Sequence, residues 1–126
     1  MRLGAVSYVV RDYDEAIDWF TRCLGFVLLE DAQLGGGKRW VCVGTGDGGT
    51  AMALAKAVDG PQVAAIGKAA GGRVAFFLHV EDFGAVHARM LAAGVTFREQ
   101  PRHESYGTVA VFEDLYGNPW DLIEKA

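Results

Sequence analysis

Two side chains of this 126-residue chain, His79 and Asp121, can do acid–base chemistry in a small-molecule site, and His103 lies in a stretch that can order over a ligand. His79 lies in the apolar run FFLHV, His103 in the polar stretch RHESYG, and Asp121 in the closing run PWDLI. A histidine titrates near neutral pH, and a carboxylate becomes a base at that pH when burial raises its pKa. The ordinary alternatives are a half-buried His79 bonded to a backbone carbonyl, a solvated loop around His103, and a salt bridge from Asp121. The arginines considered for that bridge are Arg2, Arg39 and Arg73.

An internal repeat supplies the elements that must position these residues. Residues 2–29 and 73–97 each contain an apolar run, an Asp, an amphipathic helix, a Gly and a second apolar run. A module this short cannot bury its sheet face alone, so two copies must pack together or exchange. The cleft between them is the expected place for function.

Apolar spacing predicts the same order of elements in both copies. Asp12 is a helix N-cap, and apolar residues at helical spacing follow over 13–24. In the second copy Asp82 is the N-cap, and His87 lies on the packing stripe of the helix. Strands are predicted at 5–10, 26–30, 39–44 and 50–56 in the first copy, and in the apolar run from 73 and at 95–99, 107–113 and 119–124 in the second.

The predicted fold class is α+β, with two βαβββ modules in tandem that form a curved mixed sheet around a cleft. We expect one domain over 1–126, made of a module at 1–56, a crossover at 57–72 and a module at 73–126. Strand alternation turns one set of side chains toward the cleft and their neighbours toward the helices. The cleft set is Ala5, Ser7 and Val9 in the first copy, and Ala75, Phe77 and His79 in the second.

Composition excludes several classes of partner. Apolar residues make up 51% of the chain, as in a globular protein with a core. A net charge of −4 gives no basic surface for nucleic acid, and the apolar stretches are strand-sized, so no signal peptide or membrane span is predicted. We therefore expect a cytoplasmic protein with no nucleic-acid or membrane partner. Cys23 and Cys42 lack C-x-x-C spacing and are predicted to be small buried thiols.

Two motifs resemble a known superfamily. The run VVRDYDEAIDWF at 9–20, followed by LGF at 24–26, is similar to the opening of vicinal oxygen chelate proteins, and FEDLYGNPWDL at 112–122 is similar to their ending. This superfamily contains glyoxalase I, bleomycin-resistance proteins, fosfomycin-resistance enzymes and extradiol dioxygenases. The resemblance covers nearly the whole chain and implies the fold and a homodimer. It does not imply a reaction, since one fold hosts many chemistries.

The resemblance also implies a metal site, from which this chain departs. Catalytic members hold a divalent metal at positions that carry over to Ala5, Ala53, Ala75 and Asp121. Alanine has no donor atom, so one carboxylate is left of the usual ligand set. The resemblance therefore implies no metal or other cofactor here, and it disfavours glyoxalase I or dioxygenase activity.

The resulting hypothesis is a small-molecule-binding protein of the glyoxalase and bleomycin-resistance type that sequesters an aromatic or heterocyclic compound. Its predicted ligand-binding residues are Ser7, Trp40, Phe77, His79, His103, Tyr106 and Asp121. The alternative is an enzyme of the superfamily, either a lyase or isomerase of the lactoylglutathione lyase type or a dioxygenase, with a metal site or acid–base pair outside the family positions. Its catalytic candidates are His79 and Asp121. A third interpretation is a structural member whose cleft is filled.

Overall fold

The computed structural model describes all 126 residues. In chain order the elements are β1 (Ala5–Val10), α1 (Tyr13–Leu24), β2 (Val27–Gly35), β3 (Lys38–Gly44), β4 (Ala51–Lys56), α2 (Gly60–Ala65), β5 (Phe76–His79), α3 (Phe83–Ala92), β6 (Arg102–Glu104), β7 (Gly107–Glu113) and β8 (Pro119–Lys125). They form two compact units, Met1–Ile66 and Gly67–Ala126. The boundary between the units lies inside the predicted crossover.

Each unit contains one four-stranded mixed sheet. The strand order is β1-β4-β3-β2 in the first sheet and β5-β8-β7-β6 in the second. In both sheets the first strand pairs in parallel with the last, and the other pairs are antiparallel. The βαβββ plan predicted from the repeat is therefore confirmed in both copies, and the fold is α+β.

Helix α1 forms where the sequence predicts it. The Asp12 carboxylate accepts a hydrogen bond from the Glu15 N–H at 2.8 Å, and Gly25 ends the helix at a φ of 72°. Glycine adopts this left-handed conformation without strain. On the inner face of the helix, the fully buried Phe20 ring meets the Tyr8 ring edge-on at 5.3 Å. Local caps thus set the ends of the helix, and packing on β1 holds it in place.

Helix α3 repeats this arrangement in the second unit. The Asp82 carboxylate accepts a hydrogen bond from the Ala85 N–H at 3.0 Å. His87 stacks on Phe83 with 5.4 Å between ring centroids and meets Phe97 edge-on at 4.5 Å. The predicted packing role of His87 is therefore confirmed. The fully buried residues beneath the helix are Met90, Ala110, Phe112 and Leu122.

A buried carboxylate organises the turn between β7 and β8. Asp114 is 6% exposed, and it accepts hydrogen bonds from the backbone N–H groups of Tyr116 and Asn118, both at 3.0 Å. It also accepts from the Asn118 side-chain amide at 3.1 Å and from Trp120 Nε1 at 2.9 Å. The turn therefore determines where β8 begins, and β8 carries Asp121.

The third strand of the second module lies further along the chain than predicted. Residues 95–99 form a single bridge at Phe97 rather than a strand. The Glu99 carboxylate accepts a hydrogen bond from the Val111 N–H at 2.9 Å, in place of the backbone carbonyl of a paired strand. Pro101 has no N–H that could donate to a neighbouring strand. The strand at this edge is instead β6, in the stretch predicted to be a loop.

The crossover contains the helix α2, which the sequence pattern did not reveal. The Asp59 carboxylate caps it by accepting a hydrogen bond from the Gln62 N–H at 2.8 Å. None of its residues is buried. Helical periodicity reports an apolar face, so a helix that buries nothing leaves no such pattern. None of the helices is long and apolar enough to span a membrane.

Candidate functional site

Strand alternation in β1 and β5 agrees with the sequence prediction. Tyr8 and Val10 are buried on the side of α1, whereas Ser7 is exposed on the opposite side. In β5, Phe77 and His79 are exposed and their neighbours are half-buried. The predicted side-chain register is therefore confirmed in both strands. Each sheet thus has an open face that points away from its helix.

Small side chains make up the open face of the first sheet. Strand register pairs Ala5 with Ala51 and Ser7 with Ala53, and it pairs Ala53 with Cys42 on the next strand. Side chains of this size leave the sheet surface nearly flat. A planar molecule can therefore lie close to the backbone here. We call the five residues of this surface the small-residue face: Ala5, Ser7, Cys42, Ala51 and Ala53.

A groove of about 670 Å³ borders the small-residue face. Its largest side chain is Trp40, whose indole is 43% exposed. The indole Nε1 donates a hydrogen bond to Glu30 Oε2 at 2.6 Å, which holds the ring in one orientation. Arg2, Leu29 and Cys42 also line the groove. A volume of this size is typical of small-molecule sites, which span roughly 300–1,000 Å³.

The thiol of Cys42 is buried in the wall of the groove and is not activated as a nucleophile. Burial raises its pKa, and the Glu30 carboxylate raises that pKa further. Cys23 is also buried and free, and burial likewise raises the pKa of its thiol. A protonated thiol is a poor nucleophile. The prediction of two small buried thiols is confirmed.

An aromatic ring and a carboxyl group lie side by side on the open face of the second sheet. Register pairs Phe77 with Asp121, and it pairs Asp121 with Val111 on the other side. The Phe77 side chain is 61% exposed. His79 lies on the same face opposite Ile123 and borders a second groove of about 550 Å³. We call this surface the Phe77–Asp121 face; it consists of Phe77, His79, Val111, Asp121 and Ile123.

The carboxyl group of Asp121 has no ion pair or side-chain hydrogen bond. None of Arg2, Arg39 and Arg73 forms an ion pair with it. Burial raises the pKa of Asp121, the nearby Arg102 lowers it, and Glu99 raises it. The salt bridge that was the alternative to a ligand-binding role is therefore absent. A half-buried carboxyl group with a raised pKa is able to exchange hydrogen bonds with a ligand.

Two predicted residues lie on the hairpin formed by β6 and β7. His103 pairs with Thr108, with 3.2 Å between Nδ1 and Oγ1, and Thr108 pairs with Glu124 on the helix side of the sheet. Alternation therefore puts His103 on the face opposite to Asp121. Tyr106 lies in the turn of the hairpin and is 52% exposed. The structure does not bring His103 and Asp121 together.

The sequence of the chain is similar to those of a known protein family. The family model of the Glyoxalase/Bleomycin resistance protein/Dioxygenase superfamily matches residues 2–122. The chain belongs to this superfamily. A protein of Shewanella frigidimarina (strain NCIMB 400) is 48% identical over 121 residues, which is 94% of this chain and 90% of the relative. The resemblance seen in the two sequence motifs is therefore confirmed.

Solved structures share the fold over nearly the whole chain. The crystal structure of UcmS2 is 33% identical to this chain, with a TM-score of 0.84, and the match covers 98% of this chain and 97% of that one. TnmS3, an antibiotic binding protein from Streptomyces sp. CB03234, is 26% identical with a TM-score of 0.79. That match covers 100% of this chain and 97% of TnmS3.

The residues at the superfamily's metal positions do not fit a divalent metal. Ala5, Ala53 and Ala75 have no donor atoms, and Asp121 has Phe77 and Val111 as its strand neighbours. No group of three or more His, Cys, Asp or Glu residues is placed to hold a metal ion. A lone carboxylate does not provide the ligand set that such ions need.

Sequence reasoning missed two charged residues on these faces, Glu30 and Arg102. Glu30 bonds Trp40 in the first unit, and alternation along the predicted strand 26–30 was the signal that pointed to it. In the second unit Arg102 pairs with Glu99 at 2.7 Å and with Glu104 at 2.9 Å. Its position on the face of Asp121 follows from the alternation of β6, which the sequence did not reveal as a strand.

Proposed function

We propose that this protein binds a planar aromatic or heterocyclic compound and sequesters it without a metal. The observation that carries the proposal is the exposure of two aromatic rings: Trp40 lines the groove beside the small-residue face, and Phe77 lies beside Asp121 on the open face of the second sheet. Stacking on such rings removes apolar surface from water and adds a favourable ring–ring contact. The likeness to TnmS3, an antibiotic binding protein, supports this class of ligand.

Each face supplies a different part of the proposed recognition. The small-residue face leaves room for a flat ring system beside Trp40, and the Ser7 hydroxyl offers a hydrogen bond there. The Phe77–Asp121 face offers stacking and a half-buried carboxyl group. The proposed ligand set is Ser7, Trp40, Phe77, His79, Tyr106 and Asp121. His103 was also predicted from the sequence, but it lies on the helix side of the sheet and is left out of this set.

Metal independence rests on the chemistry of the family positions. Three of the four residues there are alanines, so the chain lacks the metal ligands that the metal-dependent reactions of the superfamily need. We also propose that the chain acts as one glyoxalase-like domain in the cytoplasm. Free, buried Cys23 and Cys42 suit a reducing compartment.

We further propose that the protein is a homodimer. The edge strand β2 exposes Val27, Leu28 and Leu29, which are 47%, 40% and 44% exposed. A second copy would cover such apolar edges and the open faces at once. Light scattering should give twice the monomer mass of 13.6 kDa. A monomer mass over a wide concentration range would contradict the dimer.

Binding can be tested with a thermal-shift screen of aromatic and heterocyclic compounds, followed by calorimetric titration of the hits. Trp40→Ala and Phe77→Ala should each weaken binding of a hit, because each removes a ring that contacts it. Val63→Ala is the matched control, since Val63 is 58% exposed on α2, outside both open faces. A hit whose affinity is the same in all three variants and in the wild type would argue against the proposed site.

The second candidate function is a metal-free enzyme with Asp121 as its acid or base. The raised pKa and the free carboxyl group of Asp121 favour it, because catalytic carboxylates need these properties. Turnover of a bound compound that disappears in Asp121→Asn, while binding remains, would support catalysis. Recovery of every bound compound unchanged after long incubation would support sequestration.

A further inference from the structure

The groove beside the small-residue face contains a negative charge without a positive partner. Glu30 accepts a hydrogen bond from Trp40 Nε1 at 2.6 Å. This donor is a neutral group, so it leaves the charge of the carboxylate uncompensated. None of the ion pairs in the structure includes Glu30.

The one cationic side chain of this groove is directed elsewhere. Arg2 lines the groove, but its guanidinium donates to the Gly48 carbonyl at 3.2 Å. Arg39, on the neighbouring strand position, pairs with Asp14 at 3.0 Å and with Asp31 at 2.7 Å. No side chain of the groove therefore pairs with the Glu30 carboxylate, which leaves it available to a cationic group of a ligand.

We infer that the groove selects aromatic ligands that carry a protonated amine. The ammonium group of such a ligand bonds to Glu30 and lies against the Trp40 ring, while the flat part of the ligand rests on the small-residue face. A charge-assisted hydrogen bond and a cation–π contact both favour the charged amine over a neutral group of the same shape. This inference rests on the proposed function, since it names the ligand class of the same site.

Three probes that share a naphthylmethyl group and differ in charge test the inference: naphthylmethylammonium, naphthylmethanol and naphthylacetate. Calorimetric titration of the wild-type protein should give at least about tenfold tighter binding for the ammonium probe than for the alcohol, from the added ionic and cation–π contacts. The preference should fall as salt is added. The indole N–H resonance of Trp40, assigned with Trp40→Phe, should shift on binding.

Two variants separate local charge from overall charge. Glu30→Gln keeps an acceptor for the Trp40 N–H but removes the charge, so the ammonium and alcohol probes should bind it with similar affinity. Asp18→Asn is the matched control. It removes one negative charge from an exposed ion pair on α1, and it should keep the full preference for the ammonium probe.

The outcomes distinguish this inference from the proposed function. Equal binding of the ammonium and alcohol probes to the wild type would overturn the inference and leave aromatic binding standing. Tightest binding of naphthylacetate would also overturn it and would assign selectivity to Arg2. A preference that survives in Glu30→Gln would remove Glu30 from the site. Failure of all three probes to bind would overturn both the inference and the proposed function.

Discussion

Replacing Asp114 by Ala should strongly destabilise the protein, because this carboxylate holds several buried donors at once. Trp120 is 3% exposed and Asn118 is 2% exposed, so water cannot replace the lost acceptor. Each buried donor left unpaired costs about 1–3 kcal/mol. Counting only the Trp120 indole and one Asn118 group, we expect a loss of about 4 kcal/mol in the free energy of unfolding.

Urea denaturation followed by tryptophan fluorescence measures this loss, and thermal melting should show a Tm lower by roughly 10–20 °C. Asp114→Asn should lose about half as much, since it keeps one oxygen acceptor but turns an N–H donor toward the indole. Glu113→Gln is the control. Glu113 forms an exposed ion pair with Arg98, a kind of contact that contributes at most about 1 kcal/mol. An unfolding free energy of Asp114→Ala within about 1 kcal/mol of the wild type would refute the reasoning.

Three further predictions concern the open faces. Phe77→Ala should weaken ligand binding by about 1–3 kcal/mol and leave the Tm nearly unchanged, because its side chain is on the open face. Leu78→Ala should instead lower the Tm, because its side chain faces the helix. The opposite pattern would show that the two side chains face the other way. Because burial raises the folded-state pKa of Asp121, ionisation of Asp121 disfavours the fold, and stability should fall as pH rises through that pKa. Asp121→Asn should abolish this fall and have the higher Tm at neutral pH, so a lower Tm there would contradict the linkage. Elemental analysis should find no stoichiometric transition metal and a chelator should leave the Tm unchanged; one tightly held metal per chain would overturn metal independence.

The sequence predicted the elements that depend on near neighbours in the chain. Asp12 and Asp82 were identified as helix caps, and the structure shows each bonding the N–H three residues on. The alternation of β1 and β5 was also predicted correctly. Such features depend on backbone geometry and on interactions within one or two turns, so they are visible in the residue order.

The edge of the second sheet shows where local reasoning failed. Residues 95–99 begin with the alternation of a strand, Val95 and Phe97 around Thr96. The Glu99 side chain nevertheless accepts the Val111 N–H, and the polar stretch at 102–104 pairs with β7 instead. A side chain that replaces a backbone acceptor leaves no trace in apolar periodicity. The position of His103 on the helix side follows from that pairing and could not be predicted without it.

The residue order by itself determined the repeat and the superfamily motifs, because these depend only on residue type and spacing. The resemblance carried by those motifs then identified the alanines at the metal positions. Tertiary structure alone decided which side chains meet. Phe77 lies beside Asp121, and Trp40 bonds Glu30, through pairings between strands that are separated along the chain. Register between such strands is set jointly by turn geometry, bulges and packing of the buried face, and a shift of one residue would turn every side chain to the other face.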